Sequence, residues 1–225
     1  MLRISIEKKT LHFKQPAGTS RGVYTERDIW LLTMYDTCSP ENIGVGECAP
    51  LPDLSCDASE NYEKRLREIC NVVEQTGRID GSLLSPYPSM LFGLETAYLN
   101  MKNGRYLFDT LFSHGRCGIP INGLVWMGTA EEMNLRMEEK IKAGFSCVKL
   151  KIGAIDFESE LALVKSIRKR FSKDVIELRV DANGGFSPAE AMDRLEVLAR
   201  YDIHSIEQPI RQKQWSEMAR LCSVT

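Results

Sequence analysis

The chain opens on alternation. In "RISIEKKTLHF", "VYTERDIWLLTMYD" and "IGVGECAPLP" apolar and polar residues alternate between turn signals. That is the period-2 pattern of strands with one buried face. Between the first two lies "KQPAGTSRG", rich in Gly, Ser and Pro, which reads as a loop. The period then lengthens to that of a helix. "ASENYEKRLREICNVVEQ" puts Tyr62, Leu66, Ile69 and Val73 on one face. "SPYPSMLFGLETAYLNMKNG" does the same with Met90, Leu94, Ala97 and Met101, and stops at Asn103-Gly104, a C-cap signal. Residues 1–115 therefore predict an α+β domain, a small antiparallel sheet followed by helices.

From residue 116 onward the rhythm changes. "IPINGLVWMG", "FSCVKLKIG", "VIELRVDANGGF" and "IHSIEQPI" read as short apolar strands. Each is followed by a helical pattern: "TAEEMNLRMEEKIKAG", "DFESELALVKSIRKRF", "SPAEAMDRLEVLARYD" and "KQWSEMARLCSV". Thr129 with Glu132 reads as a capping box, and Ser187 followed by Pro188 as an N-cap with proline in the first turn. Strand–helix alternation predicts a parallel sheet with right-handed crossovers. A dinucleotide fold would want G-x-G-x-x-G after its first strand, and "LVWMGTAEEM" has a single glycine there. The remaining architecture is a (β/α) barrel, of which residues 116–225 supply about the first four units. A whole barrel takes about 250 residues, so this sequence reads as the first part of a longer polypeptide.

Composition narrows the partners. With 225 residues, 43% hydrophobic, 27% charged and a net charge of −2, the chain is ordinary globular material with no basic surplus for nucleic acid. No apolar run reaches membrane-spanning length, and the alternating start is no signal peptide. Seven scattered cysteines without a C-x-x-C pair fit reduced thiols and a cytoplasmic location. His12, His114 and His204 lie far apart and lack zinc-ligand spacing.

The chemistry sits at strand ends. Lys149 and Lys151 are two residues apart on one strand, so both ammonium groups share a face. Asp181 and Asn183 end the next strand, and Glu207 the one after. Taken singly, each has a plain reading: surface lysines, a turn or cap device, a strand stopped by Pro209. Taken together, they fall at consecutive strand ends, where a barrel keeps its active groups. Two neighbouring carboxylates call for a cation, and Mg²⁺ suits an all-oxygen site with room for substrate oxygens. The lysine pair and a metal would each depress the lysine pKa, making a base usable near neutrality. Arg179 shares the face of Asp181 and reads equally as ion-pair partner, substrate clamp or packing stem. Trp126 reads as packing, Glu47 as a structural tie, and Cys48 and Cys147 as small buried residues.

The order K-x-K, D-x-N, E-Q-P behind a domain carrying "GECAPLP" resembles the enolase superfamily, in its muconate-lactonizing-like branch. Within that branch "INGLVWMG", "KLKIG", "LRVDANGGF" and "SIEQPI" are most similar to the o-succinylbenzoate synthase family. The resemblance implies Lys151 as the proton-transferring lysine, Lys149 as its electrostatic partner, and Asp181 and Glu207 as two of three Mg²⁺ ligands. It implies syn-dehydration of a cyclohexadiene carboxylate to 2-succinylbenzoate, a step of menaquinone synthesis. Gly18, Thr19, Ser20 and Arg21 would belong to a mobile loop closing over that small carboxylate, with Asn183 and Arg179 as further substrate-binding candidates. A third acidic ligand and a second lysine have no place before Thr225. Two other readings stand beside this one: a dipeptide epimerase or N-acylamino acid racemase of the same superfamily, and a half-barrel binding or assembly module.

Overall fold

A computed structural model describes residues 1–19, 22–126, 128–153 and 155–224; for residues 18, 19 and 130 it describes the backbone alone. The chain forms two compact units, Met1–Ile119 and Pro120–Thr225.

The first unit is built on an antiparallel sheet in the order β1 (Leu2–Thr19), β2 (Gly22–Asp36), β3 (Ser39–Cys48). Three helices follow: α1 (Tyr62–Thr76), the single turn α2 (Gly81–Leu84) and α3 (Pro88–Asn103). The alternating residues Leu32, Met34 and Cys48 are buried against the helical stripe of Tyr62, Leu66, Cys70 and Val73 and the stripe of Met90, Leu94, Ala97 and Met101. Ile69 packs at the edge of that core. Gly104 caps α3 with φ +65°, its N–H donating to the Asn100 carbonyl.

The reading of residues 14–19 and of Gly22 as a loop needs correction; residues 20 and 21 lie outside the described residues. β1 continues to Thr19, pairing Ala17 with Tyr24, Gly18 with Val23 and Thr19 with Gly22. The register breaks between His12 and Ala17. Pro16 falls inside that break on an edge strand, where its missing N–H breaks no ladder bond. Composition suggested a loop, but the backbone of β2 supplies the pairing whatever the side chains.

The second unit carries a parallel sheet in the order β4 (Gly123–Val125), β5 (Cys147–Lys151), β6 (Glu177–Asp181), β7 (Ser205–Glu207). The helices α4 (Ala130–Lys142), α5 (Phe157–Arg170), α6 (Pro188–Ala199) and α7 (Trp215–Val224) alternate with the strands. α4 and α6 both begin with complete capping boxes, Thr129 with Glu132 and Ser187 with Glu190. Val148, Leu150, Leu178 and Val180 form the apolar face of the sheet, packed with Met133, Met137, Val164, Ile167 and Leu195. Because strand side chains alternate, that packing turns Lys149, Lys151, Arg179 and Asp181 to the opposite face.

Candidate active site

Register decides who meets whom. Lys151 lies level with Asp181, and Asp181 level with Glu207, so one layer across three strand ends carries a lysine and two carboxylates. Lys149 sits one layer below, beside Arg179. Its chain still reaches the layer above. Lys149 Nζ lies 3.0 Å from Asp181 Oδ2 and is also paired with Glu207 Oε2. Lys151 Nζ donates to the same Asp181 Oδ2 at 2.8 Å and to Asn183 Oδ1 at 2.9 Å. Asp181 Oδ1 in turn accepts the N–H of Asn183 at 3.0 Å. Asn183 holds that position with φ +46°, a left-handed turn that asparagine tolerates.

Asp181 is fully buried and has three hydrogen-bond donors around it. Burial alone would push its carboxyl up, but the bonds from Lys151 and Lys149 prevail and hold it below the usual carboxylate range. For Lys149, burial pushes the ammonium down while the bonds to Glu207 and Asp181 outweigh it, so its pKa is raised. The expected depression is that of a lysine beside a bound cation; the protein's own groups shift Lys149 upward. Two carboxylates face it across the strand ends, and their attraction exceeds the cost of burial.

The other predicted residues are placed as follows. Arg179 donates to Glu177 Oε1 at 2.6 Å, two residues back on its own strand, so in this structure it is an ion-pair partner. Cys147 Sγ shares that acceptor at 3.4 Å. Cys48 is buried. Gly18 and Thr19 form the last two rungs of β1, and Ser20 and Arg21 lie outside the described residues. Trp126 is exposed, against the expectation of packing, and its carbonyl accepts from Arg136. Glu47 lies exposed within β3. Sequence reasoning passed over Glu160, a buried carboxylate beside this cluster. Its signal was present: Glu160, Val164 and Ile167 are spaced i, i+4, i+7, which places an acid on an apolar helix face.

The described residues contain no group of three or more His, Cys, Asp or Glu able to hold a metal ion. Two carboxylates do converge. Asp181 Oδ2 and Glu207 Oε2 both contact Lys149 Nζ, so both are gathered around one positive charge. This pair of oxygen donors fits a hard divalent cation.

The described residues of the second unit thus form parallel βα units that carry charged groups at the C-terminal ends of the strands, an α/β architecture. The chain belongs to the enolase superfamily. Residues 132–225 match the family of enolase C-terminal domain-like domains. The chain is 39% identical to the o-succinylbenzoate synthase of Desulfotalea psychrophila, over 99% of this chain and 68% of that protein. It is 23% identical to the L-Ala-D/L-Glu epimerase of Bacillus subtilis, over 100% of this chain and 64% of that protein. Among solved structures, MenC from Desulfotalea psychrophila superposes with a TM-score of 0.78 at 34% identity, covering 99% of this chain and 68% of that one. An o-succinylbenzoate synthase from Thermosynechococcus elongatus, complexed with Mg in its active site, superposes with a TM-score of 0.75 at 23% identity, covering 99% and 66%. The chain thus spans about two thirds of the length of these relatives. No helix among the described residues is long and apolar enough to cross a membrane.

Proposed function

We propose that this chain carries the proton-transfer half of a Mg²⁺-dependent lyase site, acting on a cyclohexadiene carboxylate and giving 2-succinylbenzoate on the route to menaquinone. The observation that carries the reading is the convergence of Lys149, Lys151, Asp181, Asn183 and Glu207 on one point at three adjacent strand ends. The likeness to o-succinylbenzoate synthase supports the substrate class.

In this reading Asp181 and Glu207 are two of the ligands of the cation. When bound, Mg²⁺ supplies positive charge for a substrate carboxylate and so stabilises the negative charge that grows as the α-proton leaves. Lys151 takes that proton on Nζ and then gives it to the departing hydroxyl, which leaves as water. The lysine is thereby restored and the proton count closes. Lys149 adds positive charge beside the reacting carbons. Asn183 Oδ1 accepts from Lys151 Nζ alongside Asp181 Oδ2 and so helps to hold it in place. Its partner in this reading is a small molecule, in keeping with a chain that has no basic surplus for nucleic acid.

The test is Lys151→Ala in the full-length protein, with turnover measured at saturating Mg²⁺ and circular dichroism as the folding control. Lys151 is half-buried at a strand end, so truncation opens no large core cavity. A general base is typically worth about 10²–10⁴-fold in rate, and both proton steps go together, so the loss should reach the upper end. Retention of more than about a tenth of the activity removes Lys151 from proton transfer. A parallel assay with L-Ala-L-Glu decides against the epimerase alternative if no inversion is seen.

A further inference from the structure

The loop between β5 and α5 is held by a carboxylate that no step above uses. Glu160, in the first turn of α5, is 3% exposed. Its Oε1 accepts the backbone N–H of Gly153 at 2.6 Å and that of Ile155 at 3.3 Å. Burying a carboxylate is costly unless charge-assisted bonds compensate it. Helix capping does not explain it, because Asp156 already caps α5 by accepting from Ser159 N–H. What Glu160 holds is the segment directly after Lys151.

That segment is braced on its other side. Gly153 has φ +85°, and a Cβ there would lie 2.6 Å from the Ala182 carbonyl oxygen and 3.2 Å from Gly185 Cα. Gly185 faces it reciprocally, where a Cβ would lie 2.6 Å from the Gly153 oxygen. Ile152 N–H donates to the Asp181 carbonyl at 2.8 Å. The loop after Lys151 is therefore pressed, backbone to backbone, onto the loop that carries Asn183. Lys151 Nζ bonds to the two side chains that begin this second loop, Asp181 and Asn183.

We propose that Glu160 is a positioning residue for Lys151. Its grip on Gly153 and Ile155, with the Gly153–Gly185 contact behind it, keeps the two loops in register, so that Lys151 Nζ stays at the place where the proton is exchanged. The inference rests on Lys151 as proton carrier. A reacting group displaced by about 1 Å can cost about 10²-fold in rate, so a loosened loop should slow chemistry without weakening binding.

The test uses Glu160→Ala and Glu160→Gln in the full-length protein, read by amide hydrogen exchange, steady-state kinetics and Mg²⁺ calorimetry. Glu160→Ala should speed exchange at Gly153 and Ile155 by about tenfold or more. It should lower kcat by about tenfold or more with KM and Mg²⁺ affinity within about threefold. Glu160→Gln keeps a carbonyl acceptor and should recover most of both effects. A folded Glu160→Ala variant with kcat within about twofold of wild type, or with unchanged exchange at both amides, overturns the proposal. If Glu160→Ala does not fold, Gly185→Ala decides by the same kinetic criterion: a fall in kcat at constant Mg²⁺ affinity supports it, and an unchanged kcat overturns it. A wild-type protein without turnover sinks the lyase reading alone, and the exchange measurements then judge the grip on the loop by themselves.

Discussion

At the scale of single residues, Asp181 is the pivot. One buried oxygen accepts from two ammonium groups and the other from a backbone N–H. Asp181→Asn keeps the shape and removes the charge, leaving Lys149 and Lys151 without their shared counter-ion. Breaking a buried pair from one side typically costs about 3–5 kcal/mol, and less where one partner reaches solvent. The lysines are half-buried, so we expect a loss of about 2–3 kcal/mol in urea denaturation. Mg²⁺ affinity in the full-length protein should drop by at least about tenfold, because the proposed site loses one of its carboxylates. Unchanged calorimetric affinity for Mg²⁺ would remove Asp181 from the ligand set. The lysine pair itself was legible in the sequence as K-x-K, since i and i+2 share a face. The direction of the Lys149 shift was not, because it depends on how far the side chain reaches across two neighbouring strands.

At the scale of elements, the supports of the strand ends lie at the other end of the helices. Arg168, in the last turn of α5, donates to the carbonyls of Ile176 at 2.7 Å, Tyr201 at 2.7 Å and Asp202 at 2.9 Å. One guanidinium thus ties α5 to the entry of β6 and to the turn between α6 and β7. Asp202 makes that turn with φ +50°. Burial lowers the Arg168 pKa, yet a guanidinium stays charged in any aqueous buffer, so the three bonds persist. Arg168→Ala frees three carbonyls, part of which water can reclaim. We expect a loss of about 2–4 kcal/mol, given about 1.5–3 kcal/mol for a hydrogen bond to a charged group and partial recovery by solvent. Lys substitution should recover little, because a single ammonium cannot span three acceptors. Equal stability of the Arg168→Ala and wild-type proteins in urea would show that the tie is dispensable. Helices, caps and strand order were readable from periodicity and from Thr129, Ser187 and Gly104. The extension of β1 through a Pro- and Gly-containing stretch was not readable, because its ladder is made by the backbone of its partner strand.

At the scale of the whole molecule, two apolar cores coexist with different titratable content. The core of the first unit encloses Cys48, Cys70 and Tyr62, whereas in the second Cys147 is half-buried and Cys222 exposed. Burial, reinforced by the nearby Cys70, pushes the Cys48 thiol up to about 12; burial with Glu74 nearby pushes Cys70 up to about 12. Burial also raises Tyr62. The sign follows from linkage. Between an unfolded thiol pKa of about 8.5 and the folded value, the unfolded state binds fewer protons, so stability falls as pH rises. Each thiol contributes up to about 1.4 kcal/mol per pH unit in that window. We expect protection from hydrogen exchange, measured between pH 8 and 11, to decline in residues 1–119 before it does in residues 120–225. Cys48→Ala with Cys70→Ala should flatten the decline. A uniform loss across both units, unaffected by the double substitution, would contradict the assignment. In the folded protein a thiol reagent should modify Cys38, Cys56, Cys117 and Cys222, which are exposed, well before Cys48 and Cys70.

Periodicity alone settled the α+β start, the βα alternation and the face on which each strand carries its charges, because period 2 and period 3.6 are local properties of the chain. The strand-end positions of the charged motifs were legible for the same reason; the enolase superfamily was legible only through the resemblance of those motifs to it. Tertiary structure decided what depends on register and reach. It set Lys151, Asp181 and Glu207 in one layer, although 30 and 26 residues of chain separate them in turn. It gave Lys149 to two carboxylates and Arg179 to Glu177 instead of leaving both to one cluster. It also brought Glu160 onto the backbone beyond Lys151, a contact that arises only because α5 folds back over the strand that precedes it.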